Sequence, residues 1–138
     1  MRKKADWQNI FIEFIEENRF KKFEWGKWDC CLFADACIKA MTGESVIPAT
    51  LKWNNKETAQ EAIVNYGKTL NGALTKACKA KKIKQIKPIY VTTGDLVLFK
   101  EETELVGISD GFNILAPSDN GLNVKSHDLI KKVWRIDV

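Results

Sequence analysis

Histidine is almost missing from this chain: His127 is the only one in 138 residues. The four cysteines include no Cys-x-x-Cys pair, and Cys30 and Cys31 are adjacent. One imidazole and no paired thiols leave no set of structural zinc ligands, so no metal site is expected, and no cofactor either. No apolar run approaches the roughly 20 residues of a membrane span. The basic start, Met1 to Asn9, leads into an acidic amphipathic segment rather than an apolar one, which excludes a signal peptide and predicts a cytoplasmic protein. Thiols in that compartment are expected to be free. No stretch rich in Pro, Gly or Ser divides the chain, and no repeat or low-complexity tract occurs. A single domain over 1–138 follows, and its 45% hydrophobic content suffices for a core.

Charge of one sign is also scarce. Lys and Arg number 22 against 18 Asp and Glu, a net +4. The basic residues gather from Lys76 to Lys87, a run without aromatics or a recognisable nucleic-acid module, so nucleic acid is not an expected partner. The run reads as a solvated helix end, where lysines complement the dipole.

What is present falls into a helical half, 5–82, and a strand half, 88–138. Asp6 is placed to cap a first helix running to about Arg19, with Trp7, Ile10, Phe11, Phe14 and Ile15 at helical spacing. A second helix opens near Asp29 and stops at Gly43; apolar side chains cover much of it, which predicts burial. Asn55 opens a third helix, ending at Gly67. A fourth spans Thr69 to Lys82 with an internal glycine, Gly72. Strands are expected at 96–99, 104–109, 112–116 and 122–125, a helical turn at 126–130, and a last strand at 132–138. Helices first and antiparallel strands after them predict an α+β fold, helices packed on one side of a sheet.

Cys30 stands in the first turn of the second helix, where free N–H groups and the dipole favour a thiolate. Asp29 caps the same end, and its charge partly opposes ionisation. Cys30 is therefore either a nucleophile or a packed thiol. Acyl transfer needs a base, and His127, in a polar turn, is the one candidate at neutral pH. Trp25 and Trp28 either line a groove beside Cys30 or anchor a loop to the core. Trp53, in a loop, is the candidate exposed contact for a partner. Trp134 is expected in the core, and Asp95 at the turn before the first strand.

Trp28-Asp-Cys-Cys31 at a helix start is followed by Gly94-Asp-Leu-Val-Leu-Phe99, Leu105-Val-Gly-Ile108 and Asp110-Gly111, an order that resembles the NlpC-type cell-wall peptidases, compact and circularly rearranged relatives of papain. Trp25-Gly26, Asp29-Cys30, Thr42-Gly43, Gly94-Asp95, Gly107-Ile108, Gly121-Leu122 and Trp134-Arg135-Ile136, within 23–136, are more closely similar to a family of small phage and prophage proteins of that kind. The resemblance implies a papain-like fold with Cys30 at the nucleophile position. It places the peptidase base at Leu105 and the orienting polar residue near Leu115 or Ala116, none of which has the needed chemistry. Asp-Cys-Ser-Gly reads Asp-Cys-Cys-Leu here.

Three functions follow as expectations. The first is a phage- or prophage-derived protein with a degenerate catalytic site that binds a protein partner in tail or virion assembly. It would reside in the host cytoplasm or on the virion, with no membrane partner. The second is an active cysteine hydrolase of peptidoglycan or protein amides, with Cys30 as nucleophile, His127 as base and Asp29 capping the helix. The third is a host-takeover protein docking on a bacterial partner through its lysine run.

Overall fold

The computed structural model describes residues 1–138. Four helices precede a six-stranded antiparallel sheet, an α+β fold with the helices in the N-terminal half. The helices are α1 (Trp7–Asn18), α2 (Cys30–Thr42), α3 (Lys56–Gly67) and α4 (Leu70–Ala80). The strands are β1 (Lys84–Ile86), β2 (Leu96–Lys100), β3 (Glu104–Ser109), β4 (Asn113–Ser118), β5 (Gly121–Ser126) and β6 (Ile130–Arg135). The sheet order is β1-β6-β2-β3-β4-β5. The last strand thus returns across the sheet and inserts between the first two. β1 lies within the lysine run read from sequence as a helix end: α4 stops at Ala80, and Lys84–Ile86 pairs with Val133–Arg135.

The caps explain most helix boundaries. Asn55 and Thr58 form a reciprocal capping box at α3, and Thr69 Oγ1 accepts from the Gly72 amide at α4. Gly43, at φ 87°, ends α2 in the left-handed region that suits glycine. Asp6 does precede α1, but its side chain makes no capping bond. Gly72 is a packing requirement: a Cβ there would lie 2.1 Å from the Gly67 carbonyl oxygen, so the glycine lets α4 turn tightly against the end of α3. Asp35 fixes the loop after α2 by accepting from the Ser45 hydroxyl and from the Val46 and Ile47 amides.

Side-chain alternation divides the sheet into two faces. Leu96, Leu98, Val106, Ile108, Leu115 and Trp134 join Phe33, Cys37, Ile38 and Met41 of α2 in the main core. Fully burying a side chain such as Leu98 or Phe33 contributes roughly 2–3 kcal/mol. Val97, Phe99, Ile114, Ala116 and Val133 form a smaller core on the opposite face, with Leu105 and Leu129 packed against it. Between the faces, Asp95 is fully buried and accepts from Arg135 Nε (3.0 Å), Arg135 Nη2 (2.8 Å) and the Thr92 amide (2.8 Å). No helix is long and apolar enough to cross a membrane.

Candidate functional site: the thiol at the mouth of helix α2

The loop before α2 is held by one carboxylate. Asp29, 2% exposed, accepts from the Leu32 amide with Oδ1 (3.0 Å). Its Oδ2 accepts from the Gly26 amide (3.1 Å) and from Trp53 Nε1 (2.8 Å). Gly26 has φ 77°, and a Cβ there would meet Asn54 Cα at 2.5 Å. The chain before α2 and the 53–54 loop therefore touch backbone to backbone. Trp53, read from sequence as the exposed aromatic, is half-buried and tied down by its indole N–H.

Cys30 is half-buried beside β3. The β3–β4 ladder runs only through Ile108–Leu115 and Ser109–Ile114, so the first half of β3 is unpaired on that edge. The Val106 amide, freed there, donates to the Cys30 sulfur. The Cys31 thiol, hydrogen-bonded to Cys30, holds the Cys30 thiol below its ordinary value, helped by the Val106 amide; burial and the Asp29 carboxylate push the other way. Cys31 is correspondingly raised, by that hydrogen bond first and burial second. Cys37 and Cys78 are buried and raised by desolvation.

A groove of about 640 Å³ opens over Cys30, between α3, the start of α4 and β3. Trp25, Trp53, Lys56, Glu104 and Leu105 are among the residues lining it. Trp25 is 40% exposed and meets Phe23 edge to face. Trp28 lies outside the groove. It is buried against Phe14 and Phe33, with Lys21 Nζ over its ring, and its Nε1 has no hydrogen-bond partner. Of the three tryptophans singled out from sequence, the structure brings Trp25 and Trp53 to the thiol and places Trp28 in the core.

His127 does not reach Cys30. Its Nε2 shares a hydrogen bond with Ser109 Oγ (3.1 Å). Ser109 is three residues along β3 from Val106, about 10 Å of strand. It also alternates with Val106 and Ile108, so it points to the face turned away from α2. The position where the resemblance puts the base is occupied by Leu105, at the groove rim, packed into the second core. Leu115 and Ala116 are buried in the two cores. Sequence reasoning missed Glu104, a carboxylate in the groove whose Oε1 accepts from the Asn71 amide at the start of α4 (3.1 Å). Nothing in its sequence context distinguishes it from its acidic neighbours Glu101 and Glu102.

These features define a small α+β protein with a polarised thiol in a groove and no imidazole beside it. Over residues 2–136 the chain matches the family described as a domain of unknown function, DUF6950, and it belongs to that family. No curated protein matches it.

Proposed function

We propose that the chain is a protein-binding module on a papain-like frame whose peptidase chemistry is lost, and that it serves phage tail or virion assembly. The observation that carries this reading is the position of the single histidine. An acyl-transferring thiol requires a proton acceptor within hydrogen-bond reach. His127 instead bonds Ser109 on the other face of the sheet, and Leu105 stands at the groove rim. Absence of a general base typically forfeits roughly 10²- to 10⁴-fold in rate. The groove, with Trp25 and Trp53 beside the thiol, has the concave and partly aromatic character of a recognition surface. The phage partner rests on the resemblance of the ordered motifs between residues 23 and 136.

The lowered Cys30 thiol favours a second reading, a cysteine hydrolase. Such an enzyme would need Glu104 or a bound water to do the work of the missing imidazole. One experiment separates the two. Purified protein is incubated with peptidoglycan and with fluorogenic peptides, and Cys30 alkylation by iodoacetamide is followed from pH 6 to 9. The binding reading expects no turnover and an alkylation profile unchanged by His127→Ala. Turnover lost in Cys30→Ala, with the fold intact, would establish the hydrolase instead.

A further inference from the structure

A second groove, of about 1090 Å³, lies beside α1 and shares no lining residue with the Cys30 groove. Its apolar surface comes from Phe11, Ile12 and Ile15 of α1 and from Leu115, Leu122 and Val124 of β4 and β5. Phe112, 85% exposed, stands at its edge, and Ile12, Val124 and Val138 are also largely exposed. Single exposed apolar side chains are ordinary, whereas several around one concavity mark a contact surface.

One end of this groove is cationic. Lys3 lines it there, 7% exposed, with Nζ 4.0 Å from the centre of the Trp7 ring and without a hydrogen bond or ion pair. Burying an unpaired ammonium is costly. Desolvation lowers its pKa, and the charge of Asp95 partly restores it. Asp95 is itself already bonded by Arg135 and Thr92. Trp7 Nε1, also buried, lacks an acceptor. The positive end of α1 lies in the same place, uncapped by any side chain. Of the carboxylates nearby, Asp110 accepts from the Phe112 and Asn113 amides, and Glu16 pairs with Arg19 at the far end.

We propose that this groove binds the carboxy-terminal stretch of an extended apolar peptide, with the terminal carboxylate paired to the Lys3 ammonium. Charge and length both favour this occupant. The cation stands at the end of the groove rather than along it, where a chain terminus would lie. α1 has 12 residues, about 18 Å of helix, which matches about five extended residues. The lining also favours a peptide over a simple fatty acid, because Gln8, Thr92 and Thr93 place hydrogen-bonding groups among the apolar side chains, where a peptide backbone finds partners and an alkyl chain does not. The outer edge of β5 is not the partner: its Leu122 amide donates to the Arg19 carbonyl (2.8 Å) and its Val124 amide to Asn123 Oδ1 (2.9 Å).

The probes are hexapeptides with Val, Leu or Phe alternating with Thr, each made as the free acid and as the carboxamide. Decanoate is titrated in parallel, all by calorimetry on the full chain. The free acid is expected to bind at least about tenfold tighter than the amide, the share of one charge-assisted pair. That difference should vanish in Lys3→Met. Val124→Glu, at an exposed site, should weaken both forms. The acid-to-amide ratio in the unaltered protein is a test in itself, so the proposal stays falsifiable if Lys3→Met does not fold. Equal binding of acid and amide, no saturable binding by any peptide, or binding of decanoate alone would each overturn it. None of these outcomes bears on the Cys30 groove.

Discussion

Asp29 offers a sharp test because one of its oxygens serves two donors. Replacing it with Ala removes the cap on Leu32, worth about 1 kcal/mol. It also removes the two bonds from Gly26 and Trp53 to a carboxylate, worth roughly 1.5 kcal/mol each before solvent replaces part of them. A net loss of about 3 kcal/mol is expected. With an unfolding entropy of about 2.1 cal/mol/K per residue, that corresponds to a melting temperature lower by about 10 °C. The decisive variant is Asp29→Asn. Asparagine is as good an N-cap as aspartate, so a purely capping role predicts almost no change. Here one end of the amide becomes an NH₂ group. Facing Gly26 and Trp53, it sets donor against donor; flipped, it opposes the Leu32 amide instead. Asp29→Asn is therefore expected to cost about 2 kcal/mol or more in urea unfolding. The double variant with Trp53→Phe should recover about 1 kcal/mol relative to additivity, because one opposed donor is gone. Asp29→Asn within about 0.5 kcal/mol of the unaltered protein would refute the shared-oxygen geometry.

Two further outcomes concern the buried interior. Cys78 is pushed up to about 12 by burial, from an ordinary 9.0. Above pH 9 the unfolded chain releases this proton while the folded chain holds it, so stability falls with rising pH between 9 and 12. The contribution is about 1.4 kcal/mol per pH unit. Urea midpoints at pH 8 and 10.5 should fall less steeply in Cys78→Ala than in the unaltered protein, and equal slopes would contradict the shift. Arg135→Met strands the fully buried Asp95 and should destabilise by about 3 kcal/mol or more. Replacing both, with Asp95→Leu, should restore part of that loss, and a double variant worse than Arg135→Met would contradict the pairing.

The helical half was legible from sequence because its signals are local. Asn55, Thr69 and Gly43 mark ends through bonds within three or four residues of themselves, and the apolar spacing of α2 declares its burial. Strand positions 96–99 and 104–109 were legible for the same reason. Strand order was not. β6 lies between β2 and β1, and its place depends on pairings 31 or more residues apart that no short pattern encodes. β1 was hidden because Lys84 and Gln85 are exposed at a sheet edge, so the segment lacks the apolar signature of a strand. Trp53 was read as exposed for a similar reason, whereas the burial of Trp28 is the loop-anchoring alternative. The partner of Trp53 Nε1 lies 24 residues away, at Asp29.

That separation bears on how far the site itself was legible. The glycine and the aspartate of the Trp-Gly-x-x-Asp element both have work to do in the fold alone. Gly26 permits backbone contact with Asn54, and Asp29 joins a cap, a turn and a distant indole. The later motifs behave alike. Asp95 neutralises Arg135, and a Cβ on Gly107 would come within 2.5 Å of Ile114 and 2.7 Å of the Leu115 carbonyl oxygen. Motifs that the scaffold needs carry information about the scaffold, and they persist whether or not a reaction does. Chemistry is decided by the residues the fold does not require. At the groove rim that residue is a leucine, and the one imidazole is spent on Ser109. Motifs of this kind therefore argue for a shape rather than an activity, and a proton acceptor found beside Cys30 would be the observation that argues for a reaction.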